Sequence, residues 1–469
     1  MPSRRIYVLS PKDLSPETIA VAFAKTSRSP ESFKDIAIEL SDESSSKFHE
    51  KWVVGYGHSS VAEHAVLHLA IENVSRLAVE SIESNRLASY TEKSTRYQKW
   101  GNHDYAIPPE LEKHALREEL NTICQSLFNT YAQSLVLLRK LVETQITRRP
   151  NESEVSYDRR IRSRYIDSCR FLLPAASLAN LGMTANARVL ENSIRKMLSH
   201  PLAEVRQIGE EIKQVALSET PTLVKYANPL AHLEKAQQIF SSQDAETGIG
   251  DDWCTLVEYD REGEMRILAA ILYRFGEMSY MDALETVRKA EPQERERMTD
   301  NLLGKLKKHD VPLREMEYCS YTFDLVMDQG AYAEFKRHRM MTQTPQALTT
   351  RLGYCIPSQV VEAGFEKPYV QAMESAAATF EKLFQWNPQV ASYVVPNGFK
   401  RRVMCTFNLR EAFHFCQLRA ASNAHYSIRR VALRMAEKIQ EVHPLMAKYL
   451  KLPKEETWQG IEEEHFSSF

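Results

Sequence analysis

The chain has 469 residues, 43% of them apolar and 26% charged, the composition of a soluble globular protein able to bury a large core. Its length leaves room for two to four domains. A net charge of -2 argues against nonspecific nucleic-acid binding through a broadly basic surface, though not against a local basic pocket. No apolar run approaches membrane-spanning length, so no membrane association is expected. The seven cysteines form no CxxC pair, and the residues after Met1 lack a sustained apolar stretch, which points to a reduced, cytoplasmic compartment.

Taken in chain order, Ser15, Pro16 and Glu17 read as a helix start that runs to about Lys25. A second helix is expected from about Ser45 to Val54. Leu67, Leu69 and Ile71 then alternate with His68, Ala70 and Glu72, which predicts a strand with one buried face. Ser75 to Arg86 reads as helix. Pro108 and Pro109 break the chain before a long helical stretch over Glu110 to Glu143. Further on, Tyr321, Phe323, Leu325 and Met327 alternate with Thr322, Asp324 and Val326, again a strand. A helix is expected after Gly330, up to Arg339.

A repeat underlies this order. Pro174 precedes Asn186 and Arg188 at the spacing with which Pro396 precedes Asn408 and Arg410, and a helical stretch follows each pair. Two elements in matching order and spacing indicate an internal duplication that forms a pseudo-dimer. The expected division is a first copy over residues 1–235, a linker over 236–252 rich in polar residues and glycine, and a more divergent second copy over 253–469.

Several residues carry possible chemistry. Arg337, His338 and Arg339 offer two guanidinium forks for phosphate or carbonyl oxygens and an imidazole that can stack or titrate; the plainer reading is a basic cap on a helix end. Glu92, Ser94 and Arg96 alternate, so in an extended loop they face one side and suit a phosphorylated nucleotide; the competing reading is a polar surface turn. His58, Glu63 and His64 do not have the spacing of a helical zinc pair, so no metal is expected. Asn186 and Arg188, like Asn408 and Arg410, each open a helix and could cradle an anion, or simply cap it. Arg419 lies on an otherwise apolar stretch and must be paired, either internally or with a bound anion. No glycine-rich phosphate loop or nucleophile elbow is present.

As an ensemble these residues resemble the flavin-dependent thymidylate synthases. The family pattern runs H-x-S-x-x-E-H, a strand, V-S-R, then R-H-R-x-x-S and E-x-S-x-R-Y, and later R-x-x-x-P, N-x-R and L-R-A. Residues 58–97 match it closely except at R-H-R, the likeness extends from Ser27 to about Val215, and a weaker second pass covers about 311–440. The resemblance implies an α+β fold of two tandem domains, each a small, mostly antiparallel sheet with several long helices. It also implies a family tetramer with sites shared between subunits, so this duplicated chain is expected to form a homodimer that acts as a pseudo-tetramer.

The two copies have lost complementary parts of the implied site. The first keeps Glu92, Ser94, Arg96 and Arg170 but has Ser84 and Asn85 for Arg-His, and Met197 for the L-R-A arginine. The second keeps Arg337, His338, Arg339 and Arg419 but has Ser392 for the arginine before the proline, with Pro312 and Tyr318 for the two histidines. The resemblance therefore implies one composite site. Its nucleotide is held by Glu92, Ser94, Arg96, Arg170, Arg337 and Arg419, with Ser94, Arg96 and Arg419 as the catalytic set. FAD is expected at His58, Ser60, Glu63, Asn186, Arg188, Asn192, Arg337, His338 and Arg339. Glu334 falls where the family usually has a glutamine against the base. The implied activity is reductive methylation of dUMP to dTMP with methylenetetrahydrofolate and NADPH as co-substrates. The alternatives are a related flavoprotein acting on another pyrimidine nucleotide and a non-catalytic nucleotide-binding or flavin-binding scaffold.

Overall fold

A computed structural model describes residues 7–26, 29–55, 59–240, 248, 250, 252–307 and 309–468. The chain divides into two compact units. The first comprises residues 1–94, 104–118 and 176–245; the second comprises 95–103, 119–175 and 246–469. The expected linker over 236–252 begins inside the helix Ala231–Phe240, and its residues 241–247, 249 and 251 lie outside the described set.

In the first unit, three antiparallel strands, β1 (Val66–Ser75), β2 (Ser89–Glu92) and β3 (Leu178–Asn186), form a sheet in the order β1-β3-β2. Leu67 is buried and His68 exposed, as alternation requires, but the register shifts between Ile71 and Val74, where Asn73 adopts a φ of 57°. Asparagine tolerates this left-handed conformation better than most residues. The bulge lets Val74 and Ser75 turn inward, and Ser75 then caps the helix Arg76–Ile82 by accepting from the Ala78 amide. That helix stops short of Arg86. Ser84 Oγ donates to the Ser81 carbonyl and Asn85 Nδ2 to the Ile82 carbonyl, so side chains occupy the carbonyls a further turn would use.

In the second unit, four antiparallel strands, β4 (Cys254–Tyr259), β5 (Ser320–Asp328), β6 (Thr342–Pro345) and β8 (Lys400–Asn408), form a sheet in the order β4-β5-β8-β6. A second, two-stranded sheet pairs β7 (Ile356–Pro357) with β9 (Phe466–Ser468). Tyr321, Phe323, Leu325 and Met327 all face the core, as their alternation predicted. The following helix spans Gln329–Phe335, capped by Asp328 through the Ala331 amide, and ends before Arg337 rather than at Arg339. Two more expectations shift. The helix expected over 45–54 is Asp42–His49 followed by a wider turn over Glu50–Gly55. The long helix begins at Arg117, not Glu110, because Pro109–Leu111 forms a tight turn and His114 Nδ1 accepts from the Leu116 amide.

The strand registers make the repeat explicit. Asn186 faces Val66 and Asn408 faces Ser320, and each asparagine ends its strand and caps the next helix, through Val189 and Glu411 respectively. Tight turns begin at Arg170 in one copy and Ser392 in the other. The seven-residue helices after Ser75 and Asp328 place Ser84 and Arg337 at the same distance past their ends.

Glu264, near the start of the helix Gly263–Phe275, is buried and accepts from the Met446 amide at 2.7 Å. Burial pushes its carboxyl up to about 7. The folded state thus binds a proton that the unfolded state releases between about pH 4.5 and about pH 7, so stability falls as pH rises through that window. Glu264→Gln keeps the accepting oxygen and removes the charge. It should raise the melting temperature at pH 8, where the penalty reaches at most about 3 kcal/mol, and leave it nearly unchanged at pH 4. Thermal melts across pH check this; a wild-type pH slope that survives the substitution contradicts it.

Candidate functional site

In the second unit, first-copy segments fold onto the second-copy sheet. The helix Glu154–Cys169 runs into the tight turn Arg170–Leu172, and the chain around Pro174 pairs antiparallel with the chain around Pro396. Ala175 donates to the Val395 carbonyl and Asn397 to the Leu173 carbonyl, both at 3.0 Å. Equivalent segments of two copies meeting each other is the arrangement of a two-fold interface, here made within one polypeptide. It delivers Arg170 beneath the helix Gln329–Phe335.

Arg170 is deeply buried, with its side chain 3% exposed. One guanidinium nitrogen reaches Thr95 Oγ1 at 3.3 Å, and the other reaches the Gly330 carbonyl at 3.4 Å and Glu334 Oε1 at 3.6 Å. Its Nε has no hydrogen-bond partner among the described residues, nor does Glu334 Oε1. A Cβ at Gly330 would stand 3.0 Å from Oδ1 of the cap Asp328, a tight contact, and 3.5 Å from an Arg170 nitrogen, an ordinary one.

Glu334 is shared with Arg419, whose Nη1 donates to Oε2 at 3.2 Å. Arg419 Nε also donates to His338 Nε2 at 2.9 Å. An arginine only donates, so His338 Nε2 must be the unprotonated nitrogen and Nδ1–H points at Glu411 Oε1, 2.9 Å away. Burial, reinforced by the charges of Arg419 and His414, holds the His338 imidazolium well below its ordinary range, which keeps the ring neutral. Burial also pushes the Glu411 carboxyl up to about 7. The Arg419 guanidinium is weakened by burial and by the nearby charges of Arg337 and Arg96, against the pull of Glu334.

Arg96 makes a bidentate pair with Asp167, at 2.8 Å from both Nε and Nη2, and gives Nη1 to the Asn423 carbonyl at 2.9 Å. Burial acts against its charge, but the hydrogen bonds and charge of Asp167, with Glu334 behind, raise it above the ordinary arginine value. Asp167 is fixed in turn by His425, whose Nε2 donates to its carbonyl at 3.1 Å while Nδ1 accepts from the Ser427 amide. The turn carrying Arg337, His338 and Arg339 is held by Gln343 Nε2, which donates to the Phe335 and His338 carbonyls. Arg337 is exposed and Arg339 half-buried on that turn.

One cluster of the second unit therefore gathers Arg96 and Arg170 from the first copy with Glu334, His338 and Arg419 from the second. Asp167, Thr95, Glu411 and His425 complete it and were missed in the sequence. Asp167, three residues before Arg170 near a helix end, was the signal available for the first of them.

The remaining candidates lie in the first unit. Glu92 closes β2 and pairs with Arg76 at 2.9 Å, both side chains buried, and Ser94 follows two residues later. Ser60 and Glu63 stand on the turn Ser59–His64 and line a cleft of about 750 Å³ with Phe23, Phe48 and Trp52. Phe23 packs on His64 with centroids 4.9 Å apart. Glu63 pairs with Arg188, and the second copy repeats this contact as Glu317 with Arg410 at 2.8 Å. Asn186 uses its side-chain oxygen as a helix cap, and Asn192 is exposed. His58 lies outside the described residues. All seven cysteines are buried, and burial raises every thiol, Cys319 and Cys416 to about 12, so none offers a ready thiolate. Among the described residues no group of three or more His, Cys, Asp or Glu could hold a metal ion, and no helix is long and apolar enough to cross a membrane.

The chain is a repeated α+β protein whose copies share one buried arginine cluster. The family described as thymidylate synthase complementing protein matches this chain twice, over residues 9–222 and 255–445, and the chain belongs to that family. A UPF0159 protein of Chlamydia muridarum (strain MoPn / Nigg) is 32% identical over 435 residues, covering 88% of this chain and 82% of the relative. A flavin-dependent thymidylate synthase of Clostridium tetani (strain Massachusetts / E88) is 29% identical over 220 residues, covering 46% of this chain and 83% of the relative. Among solved structures, a UMP/dUMP methylase PolB from Streptomyces cacaoi bound with 5-Br dUMP shares 17% identity at a TM-score of 0.34, covering 42% of this chain and 93% of that one.

Proposed function

We propose that this protein is a flavin-dependent enzyme that reductively methylates dUMP to dTMP, with methylenetetrahydrofolate as carbon donor and NADPH as reductant. The observation that carries the reading is the cluster in which Arg96 and Arg170 converge with Arg419 around Glu334, each copy supplying the arginines the other lacks. Arg96, Arg170 and Arg419 outnumber the carboxylates Asp167 and Glu334 that pair with them, and Arg337 adds a further positive charge near Arg419, which suits the cluster to a phosphate. The unpartnered Nε of Arg170 is a donor awaiting an acceptor.

Within the second unit, Arg337 and Arg339 on one ordered turn suit the pyrophosphate of a flavin cofactor. When bound, the flavin supplies the hydride chemistry. The chain's part is positional and electrostatic. Asp167 aims the Arg96 fork, His338 and Glu411 aim Arg419, and burial excludes water from the cluster. The first-copy Glu92 and Ser94 are assigned to substrate recognition from the family resemblance, and the chain is proposed to act as a homodimer.

A second reading, a related enzyme acting on another pyrimidine nucleotide, is favoured by Glu334, because a carboxylate only accepts hydrogen bonds where an amide would also donate. The absorbance spectrum of the purified protein, with dUMP titrated in, tests both. Bound flavin whose bands shift with dUMP is expected. Flavin that responds to a different pyrimidine nucleotide and not to dUMP favours the second reading, and a colourless protein that cannot be reconstituted with FAD overturns both in favour of a scaffold.

A further inference from the structure

The segment after residue 445 lies outside both stretches matched by the family. It nevertheless folds back onto the helix Tyr426–Val442, whose first turn touches the arginine cluster from three sides. His425 holds the Asp167 carbonyl, next to the carboxylate that grips Arg96. Ser427 Oγ donates to Asp328, the cap of the helix that carries Glu334. Tyr426 packs on Phe171, the neighbour of Arg170, with centroids 6.2 Å apart.

The returning segment braces this same turn. His465 stacks on the Tyr426 ring at 4.5 Å and 17°, and Phe466 meets its edge at 5.3 Å. His465 ends the helix Trp458–His465 and Phe466 begins β9, which pairs antiparallel with β7, so the corner is held between a helix and a paired strand. Further along the helix, Glu462 pairs with Arg430 at 2.7 Å, and Arg430 in turn lies 3.7 Å over the Trp253 ring. Glu456 pairs with Arg429, and Trp458 packs edge-on against Trp253. The short segment is thus attached to the helix through Arg429 and Arg430, and to Trp253 ahead of β4.

We infer that residues 456–468 form a clamp, and that His465 and Phe466 are positioning residues. Through Tyr426 and His425 they hold Asp167, and through Asp167 they hold the Arg96 fork in its binding geometry. The mechanism is rigidity: a ring wedged between Phe171 and the His465–Phe466 corner cannot rock, so the carbonyl of Asp167 and the turn at Arg170 keep a single position. The clamp concerns the same cluster that the proposed function assigns to the nucleotide, and it rests on that reading only for its second readout.

The test compares wild type with His465→Ala, Phe466→Ala and His465→Phe in the full chain, first by amide hydrogen exchange and then by dUMP titration. His465→Ala and Phe466→Ala should each raise exchange across residues 164–172 by about tenfold or more, with protection of β5 and β8 unchanged. His465→Phe, which keeps a flat ring on Tyr426, should restore protection. Nucleotide affinity should follow the same order, weakened about five- to tenfold in the alanine variants and recovered in His465→Phe. Unchanged exchange in both alanine variants overturns the clamp. So does a loss that spreads evenly through the unit, or one that His465→Phe fails to rescue, since either marks a merely structural role. If the variants show this exchange pattern but wild type does not bind dUMP, the clamp stands and the functional reading falls.

Discussion

Arg419→Ala and Arg96→Ala are each expected to abolish dUMP binding, although the two residues come from different copies of the repeat. Arg419 supplies Glu334 with a hydrogen-bonded partner and His338 with the donor that fixes its ring; without it the ion pair left to Glu334 among the described residues is that with Arg170, at 3.6 Å. A buried carboxylate left short of a partner, added to a phosphate that has lost a charged donor, costs about 2–5 kcal/mol. That corresponds to roughly thirty- to several-thousand-fold in Kd. Arg96→Ala has the same consequence for Asp167, which loses both bonds of a bidentate pair. The controls are the counterparts in the other copy. Met197 occupies the eleventh position of its helix as Arg419 does of its own, and Ser392 opens its turn as Arg170 does. Met197→Leu and Ser392→Ala conserve volume or remove only a 3.3 Å contact to the Leu348 carbonyl, so affinity should change little. Calorimetric titration of dUMP into the four variants decides the matter, and equal losses across them would falsify the complementary-copy arrangement.

Saturation at one nucleotide and one FAD per chain is the second expected result. Two intact copies would bind two of each. Where the second copy has His338, bonded to Arg419 and Glu411, the first has Asn85, which donates to Ser193 Oγ at 2.8 Å and accepts from Lys196 at 2.7 Å. Burial lowers the Lys196 ammonium, so the charge it offers is weakened as well as shared. Ser84 and Met197 contribute no cation in place of Arg337 and Arg419. A phosphate set down there forgoes several charge-assisted hydrogen bonds worth about 1.5–3 kcal/mol each, and a few such losses weaken binding by several powers of ten. Flavin released by denaturation and a calorimetric nucleotide titration give the two stoichiometries. Reproducible saturation at two of either ligand would show a second site built from other residues.

What the amino-acid sequence determined alone was the periodic and repeated patterning of neighbours in the chain. The alternation at Tyr321 to Met327 placed a buried strand face, because side chains of a strand alternate between faces. The spacing of Pro174 with Asn186 and of Pro396 with Asn408 revealed the repeat, because a turn, a strand and a capped helix recur in the same length of chain. The departures from the family pattern at Ser84, Met197 and Ser392 were read there too. Helix ends were less so: at Ile82 and Phe335 the chain leaves the helix because local side chains and Gln343 claim the carbonyls, a competition that periodicity does not register. Tertiary structure alone decided that residues 95–103 and 119–175 fold with the second-copy sheet, and so which arginines meet. Arg96 finds Asp167 across 71 positions and Arg170 approaches Gly330 across 160, separations at which charge and propensity carry no register. Only burial of particular surfaces against one another brings such groups within hydrogen-bond reach, and the same burial makes His338 a neutral strut inside the cluster rather than a titrating group at its surface.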